Sequence, residues 1–158
     1  MKTTLKRAAL LATILALTAC ATKVPLDGSA STAVKTVDVT NGIGADGVPA
    51  PAVRSIYFDT DSYVVRADGQ PVINNHGEFL TKNRDQRALL QGNTDDRGTA
   101  EYNLALGQRR SEAARQALSL RGVNVSQLEA VSLGKEKPKA TGSDEAAWAE
   151  NRRVDIVY

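Results

Sequence analysis

The chain of 158 residues contains one cysteine, Cys20, and one histidine, His76. A single thiol excludes an intrachain disulfide and any cysteine-built metal site. Neither a G-x-S-x-G nucleophile elbow nor an H-E-x-x-H metal motif occurs. The carboxylates Asp59 and Asp61, and likewise Asp95 and Asp96, could be mistaken for a glycosidase pair, but no general base with a supporting partner accompanies them. No enzyme, cofactor or metal is therefore expected, and His76, set among Asn74, Asn75 and Gly77, reads as a solvated helix residue. Residues 1–19 hold no Asp or Glu, which argues against a retained membrane helix bearing a functional acid.

Those nineteen residues have another signature. Lys2, Lys6 and Arg7 precede an apolar run from Ala8 to Ala19, too short to span a bilayer comfortably and of the length of a signal h-region. The run ends in Leu17-Thr18-Ala19-Cys20, which resembles the lipobox of bacterial lipoprotein signals. That resemblance implies cleavage before Cys20 and acylation of its thiol and new amino group. Stable anchoring takes two or more acyl chains, each contributing about 0.8 kcal/mol per buried CH₂. Ala21 follows, not Asp, and by the same resemblance this favours the outer membrane over the inner. Charge changes with cleavage. The full chain has 20 Lys+Arg and 18 Asp+Glu; without Lys2, Lys6 and Arg7 it has 17 bases against the same acids, a net charge of −1. The basic balance of the precursor then gives no support to nucleic-acid binding.

Residues 21–52 are poor in large apolar side chains, and Gly42, Gly44, Gly47, Pro49 and Pro51 crowd their end. Such a stretch buries too little to offset chain entropy, and residues 20–52 are expected to form a lipidated, disordered tether. A flexible coil of this length has a root-mean-square span of roughly 30 Å and a taut limit of about 110 Å. Residues 53–158 are expected to make one α+β domain. Periodicity predicts strands over 53–58, 86–91 and 128–133 and through Val154, Ile156 and Tyr158. It predicts helices over 71–83, 99–120 and, shorter, 144–149. The order βαβαβ(α)β suggests a sandwich with two main helices on a four-stranded mixed sheet. On a helical wheel, Tyr102, Leu106, Ala113, Ala117 and Leu120 form the expected core stripe of the long helix, with Asn103 and Arg110 along one edge and Arg109 along the other. An arginine beside a buried stripe needs a partner. The wheel leaves open whether that partner is internal, such as Asp95 or Asp96, or a ligand. Asp95 lies too far before the helix to cap it, yet near the positive end of its dipole.

The residues that carry a family resemblance are Tyr57-Phe58-Asp59-Thr60-Asp61, then Asn93-Thr94-Asp95-Asp96-Arg97-Gly98-Thr99, then Glu101-Tyr102-Asn103-Leu104-Ala105-Leu106-Gly107-Gln108-Arg109-Arg110. Val131 to Pro138 and Asp144 to Arg153 complete the set. This pattern resembles the OmpA-like peptidoglycan-binding domain. With the lipobox and tether, the whole chain is similar to the peptidoglycan-associated lipoproteins of the Tol–Pal system. Thr60 departs from the pattern, where many relatives carry an aromatic residue.

The resemblance implies a non-catalytic outer-membrane protein on the periplasmic face, active in envelope integrity and cell division. Its partners would be peptidoglycan, TolB and other Tol proteins. It also implies a pocket for the free end of diaminopimelate, with Asp95 accepting the ammonium and Arg110 clamping the carboxylate. Asp61, Arg97, Thr99, Asn103 and Leu106 match other positions of that pocket. Asn103 either braces the loop or touches the ligand, and Arg109, Arg152 and Arg153 read as surface or structural ion pairs. Replacing Asp95 or Arg110 by Ala is expected to abolish wall binding and leave the fold intact. The alternatives are a peptidoglycan-cleaving enzyme, or an envelope lipoprotein of the same domain family outside the Tol–Pal system.

Overall fold

The computed structural model describes residues 43, 44 and 47–158. The signal segment, Cys20 and the tether as far as residue 42 lie outside the described residues. The elements run β1 (Ser55–Tyr57), α1 (Gln70–Lys82), β2 (Ala88–Asn93), α2 (Ala100–Ser119), β3 (Leu128–Gly134), α3 (Glu145–Asn151) and β4 (Arg153–Val157), with single 3₁₀ turns at Ala67–Gly69 and Val125–Gln127. The sheet order is β1-β4-β2-β3. β4 is antiparallel to both β1 and β2, and β2 runs parallel to β3, with α2 as the connection between them. The fold is the expected α+β arrangement of helices on a four-stranded mixed sheet.

Local chemistry explains the element ends. Pro71 stands in the first turn of α1, where its missing N–H costs nothing. Thr99 caps α2 by accepting from the Tyr102 N–H at 3.2 Å. Gly122 adopts φ of 88° just beyond the end of α2, a backbone region that suits glycine. Asp144 caps α3, its Oδ1 accepting from the Ala147 N–H at 2.8 Å. Along β4, Val154, Ile156 and Tyr158 alternate into the core. There they meet Ile56, Phe58, Ile73, Leu80, Leu90, Ala114 and Leu118.

The buried face of α2 differs from the wheel reading. Its buried residues are Asn103, Leu106, Gly107, Arg110, Ser111, Ala114 and Leu118. Tyr102 is 47% exposed and Leu120 80%. The reason is close approach. A Cβ placed on Gly92 of β2 would lie 1.9 Å from the Gly107 carbonyl oxygen, and one on Gly107 would lie 2.2 Å from Ser132 Oγ. Helix and sheet backbones touch at Gly107, which turns that side of α2 inward and buries Asn103, Gly107, Arg110 and Ser111 beside Leu106, Ala114 and Leu118. A wheel weighted by hydrophobicity keeps Leu106 but centres the buried arc too far toward Tyr102 and Leu120.

Two further differences lie at the other end of the domain. Part of the stretch assigned to the tether has a definite place. Ile43 bridges Pro49, the Gly44 N–H donates to the Val48 carbonyl at 2.8 Å, and Ala50 joins the core. His76 is fully buried rather than solvated. Its Nε2–H donates to the Val53 carbonyl at 2.9 Å, since a carbonyl can only accept. Nδ1 then accepts from the Tyr158 hydroxyl at 2.6 Å, and Phe79 packs edge-on against the same tyrosine.

Burial holds the His76 pKa below its ordinary 6.5, Arg54 pushes the same way, and the bond to Val53 opposes them. The unfolded chain therefore takes up a proton near pH 6.5 that the folded chain resists, so stability is full above that pH and declines below it. Urea unfolding at pH 7.5 and 5.5 is expected to show a larger loss for the wild type than for His76→Gln. Equal losses would contradict this account.

Candidate functional site

The site forms where β1, β2 and β4 meet the N-terminal end of α2. β2 ends at Asn93, and the Thr94 N–H still pairs with the Gly134 carbonyl at 2.9 Å, so the loop leaves the sheet from a fixed point. Gly98, at φ of 85°, turns the chain into α2. Asn103 Nδ2 reaches back to the Arg97 carbonyl at 2.7 Å, and Lys135 Nζ donates to the Gly98 carbonyl at 2.9 Å. Asn103 thus braces the loop.

Within this loop Asp95 is 8% exposed and ringed by donors. Its Oδ2 accepts from Arg97 Nη2 at 2.6 Å and, more distantly, from Arg152 Nη1 at 3.4 Å. Oδ1 accepts only the Arg97 backbone N–H, at 3.3 Å. Burial pushes the Asp95 pKa up, but the hydrogen bond and charge of Arg97, helped by Arg152, outweigh it and hold the carboxyl below its ordinary range. Asp95 is ionised at neutral pH. Arg152 is itself tied to Glu145 at 2.6 Å and to the Phe58 carbonyl at 3.3 Å, which fits the structural ion-pair role read from the sequence.

Arg110 has no exposed surface. It does not pair with Asp95 or Asp96. Its Nε donates to the Ser62 carbonyl at 2.8 Å, Nη1 to Asn93 at 3.0 Å and Nη2 to Asp59 at 3.0 Å. The Phe58 ring lies 5.4 Å away. Burial lowers its pKa to about 10, with Asp95 opposing that shift, so it remains a cation at neutral pH. Three of its five N–H groups are engaged with the backbone, and one remains on each terminal nitrogen.

A hollow of about 280 Å³ opens between these groups. Asp61, Asp95, Arg97, Asn103, Leu106 and Arg110 line it, together with Thr60, Thr94, Gly98 and Tyr102. Six of the seven pocket positions expected from the sequence share it. Thr99 does not line it; its hydroxyl is committed to capping α2. Tyr102, read from the sequence as core, is a wall of the hollow instead, and its hydroxyl donates to Asp61 Oδ1. Asp61 stands at φ of 54°, an unusual conformation for a residue other than glycine. Two carboxylates and two guanidiniums on one small concavity suit a ligand that carries both signs of charge. Among the described residues no group of His, Cys, Asp and Glu is placed to hold a metal ion.

Comparison with known proteins agrees with this fold. The OmpA family matches residues 57–152. A peptidoglycan-associated lipoprotein of Pseudomonas aeruginosa is 45% identical over 116 residues, 73% of this chain and 68% of that protein. One from Agrobacterium fabrum is 37% identical over 152 residues, covering 90% of this chain and 81% of the relative. The crystal structure of the peptidoglycan-associated lipoprotein from Burkholderia pseudomallei superposes with a TM-score of 0.67 at 60% identity, over 68% of this chain and 91% of that one. The chain belongs to the OmpA family, and within it to the peptidoglycan-associated lipoproteins.

The burial of Arg110 changes one expectation drawn from the sequence. Arg110→Ala would strand three backbone carbonyls, from the Asp59 and Ser62 loop and from the end of β2, and leave a void beneath them. Hydrogen bonds to a charged group each contribute about 1.5–3 kcal/mol, so the loss is expected to be about 3 kcal/mol or more. Urea unfolding of Arg110→Ala should show it. A variant as stable as the wild type would contradict this placement.

Proposed function

We propose that the protein is a non-catalytic lipoprotein that binds the diaminopimelate of peptidoglycan stem peptides and tethers the outer membrane to the cell wall. The observation that carries this reading is that Asp95 and Arg110, of opposite charge and not paired to each other, line one hollow. The free end of diaminopimelate bears an ammonium and a carboxylate on one carbon. Asp95 Oδ1, with a single long contact from the Arg97 amide, has capacity left for the ammonium. Arg110, buried beneath the hollow, supplies a fixed positive charge toward which the carboxylate turns, and Arg97 supplies an exposed guanidinium at the rim. Leu106 gives an apolar wall for the methylene chain. The names of the relatives from Pseudomonas and Agrobacterium support the wall as the source of the ligand.

The rest of the reading follows from the sequence. Cleavage before Cys20 and its acylation would place the anchor in the outer membrane, on the periplasmic side. The stretch before residue 53 would act as the leash. By the resemblance read in the sequence, the protein would work with TolB and the other Tol proteins, in envelope integrity and division.

Asp95→Asn keeps the shape of the side chain and removes the charge. The full-length protein carrying it is expected to lose about ten- to a hundredfold in affinity for isolated sacculi, the worth of one charge-assisted hydrogen bond. Wild-type co-sedimentation by this variant would reject the site assignment.

A further inference from the structure

Trp148 lies on α3, outside the hollow, and does not line it. It is the chain's one tryptophan. The two polar contacts of its side chain both fall on the 95–97 loop. The Arg97 guanidinium carbon sits 4.2 Å from the centre of the indole ring, a stacked cation–π arrangement. The indole Nε1–H donates to Asp96 Oδ1 at 2.7 Å. Arg97, sandwiched between that ring and Asp95, is the pocket cation with exposed surface, its side chain 41% accessible.

An exposed arginine has several rotamers, and each must be given up before it can serve a bound ion. Here the surrender is made in advance. The indole face fixes the plane of the guanidinium, Asp95 fixes its edge, and the bond to Asp96 fixes the loop between them. We propose that Trp148 is a positioning residue of the pocket, presetting Arg97 and the 95–97 loop to receive the carboxylate of a zwitterionic ligand. This rests on the reading of the hollow as the site for a diaminopimelate end, and it assigns α3 a part in that site.

The consequence is specific to charge. Removing the ring frees Arg97 to swing into solvent or to fold further over Asp95, where it competes with the ligand's ammonium. A stack at a half-exposed position contributes enough for about a tenfold change in binding. Trp148→Phe retains a ring face and loses the hydrogen bond, so its defect falls between.

Calorimetric binding of the full-length protein to a soluble diaminopimelate-terminated stem peptide tests this. Trp148→Leu should weaken binding about tenfold and Trp148→Phe about threefold. The Trp148→Leu defect should shrink below twofold when the peptide's free carboxylate is amidated, and again when both proteins carry Arg97→Ala. A Trp148→Leu protein that binds like the wild type, or a defect that survives both controls, would overturn the proposal; the second result would mean a general role in folding. A wild type that fails to bind the peptide at all would instead reject the reading of the hollow. A ligand-free measurement keeps the proposal exposed even then. The Arg97 backbone amide, which donates to Asp95 Oδ1, should exchange its hydrogen about tenfold faster in Trp148→Leu while the β2 amides do not change, and equal exchange at Arg97 would overturn it.

Discussion

A guanidinium with no exposed surface organises this domain. Arg110 collects carbonyls from the turn after β1 and from the end of β2, and it does so from the middle of α2. A charge that deep is tolerated only when its donors are matched, because desolvation is costly. Three segments far apart in the chain are therefore held at one point by a single side chain. Two N–H groups stay unspent, and the nearby Asp95 sits in the same hollow without pairing to it. The result is a pair of opposite charges in one hollow, each committed to partners of its own: Arg110 to backbone carbonyls, Asp95 to Arg97 and Arg152.

Arg110 can reach those carbonyls only because α2 lies so close to the sheet. Gly92 and Gly107 permit a contact that any side chain at either position would prevent. On the far side of the loop, α3 and its C-terminal end hold Asp95 and Arg97 through Arg152 and Trp148. The hollow is thus bounded by a floor set from α2 and a rim set from α3. The opposite end of the domain is locked separately, by His76 between Val53 and Tyr158. The chain preceding β1 enters the domain at that end.

The order and kind of the elements were legible in the sequence because caps and breakers are local. Thr99, Asp144 and Gly122 mark boundaries by their own chemistry, and the alternation of Val154, Ile156 and Tyr158 marks a strand buried on one face. The loop from Asn93 to Thr99 was legible through its family pattern. What periodicity could not convey was the interior face of α2. Its buried positions hold Asn103, Gly107, Arg110 and Ser111; a wheel weighted by hydrophobicity sets Asn103 and Arg110 only at the edge of the core stripe and leaves out Gly107 and Ser111, because the packing there is backbone against backbone. His76 was misread for a related reason. Its polar neighbours in sequence suggest water, whereas its partners, Val53 and Tyr158, are remote in the chain. Tyr102 fits the core stripe by spacing yet walls the hollow, and the contacts of Trp148 with Arg97 and Asp96 leave no mark in either segment alone. Thr99 lay within the right motif but serves the helix.

The central claim is that one ligand end, carrying both charges, lies between Asp95 and Arg110. A structure of the protein bound to a diaminopimelate-terminated peptide measures this directly. The account predicts the ammonium within hydrogen-bond distance of an Asp95 carboxylate oxygen and the carboxylate turned toward Arg110, inside the hollow lined by Leu106 and Asn103. A peptide bound elsewhere on the domain, with Asp95 still held only by Arg97 and Arg152, would contradict it.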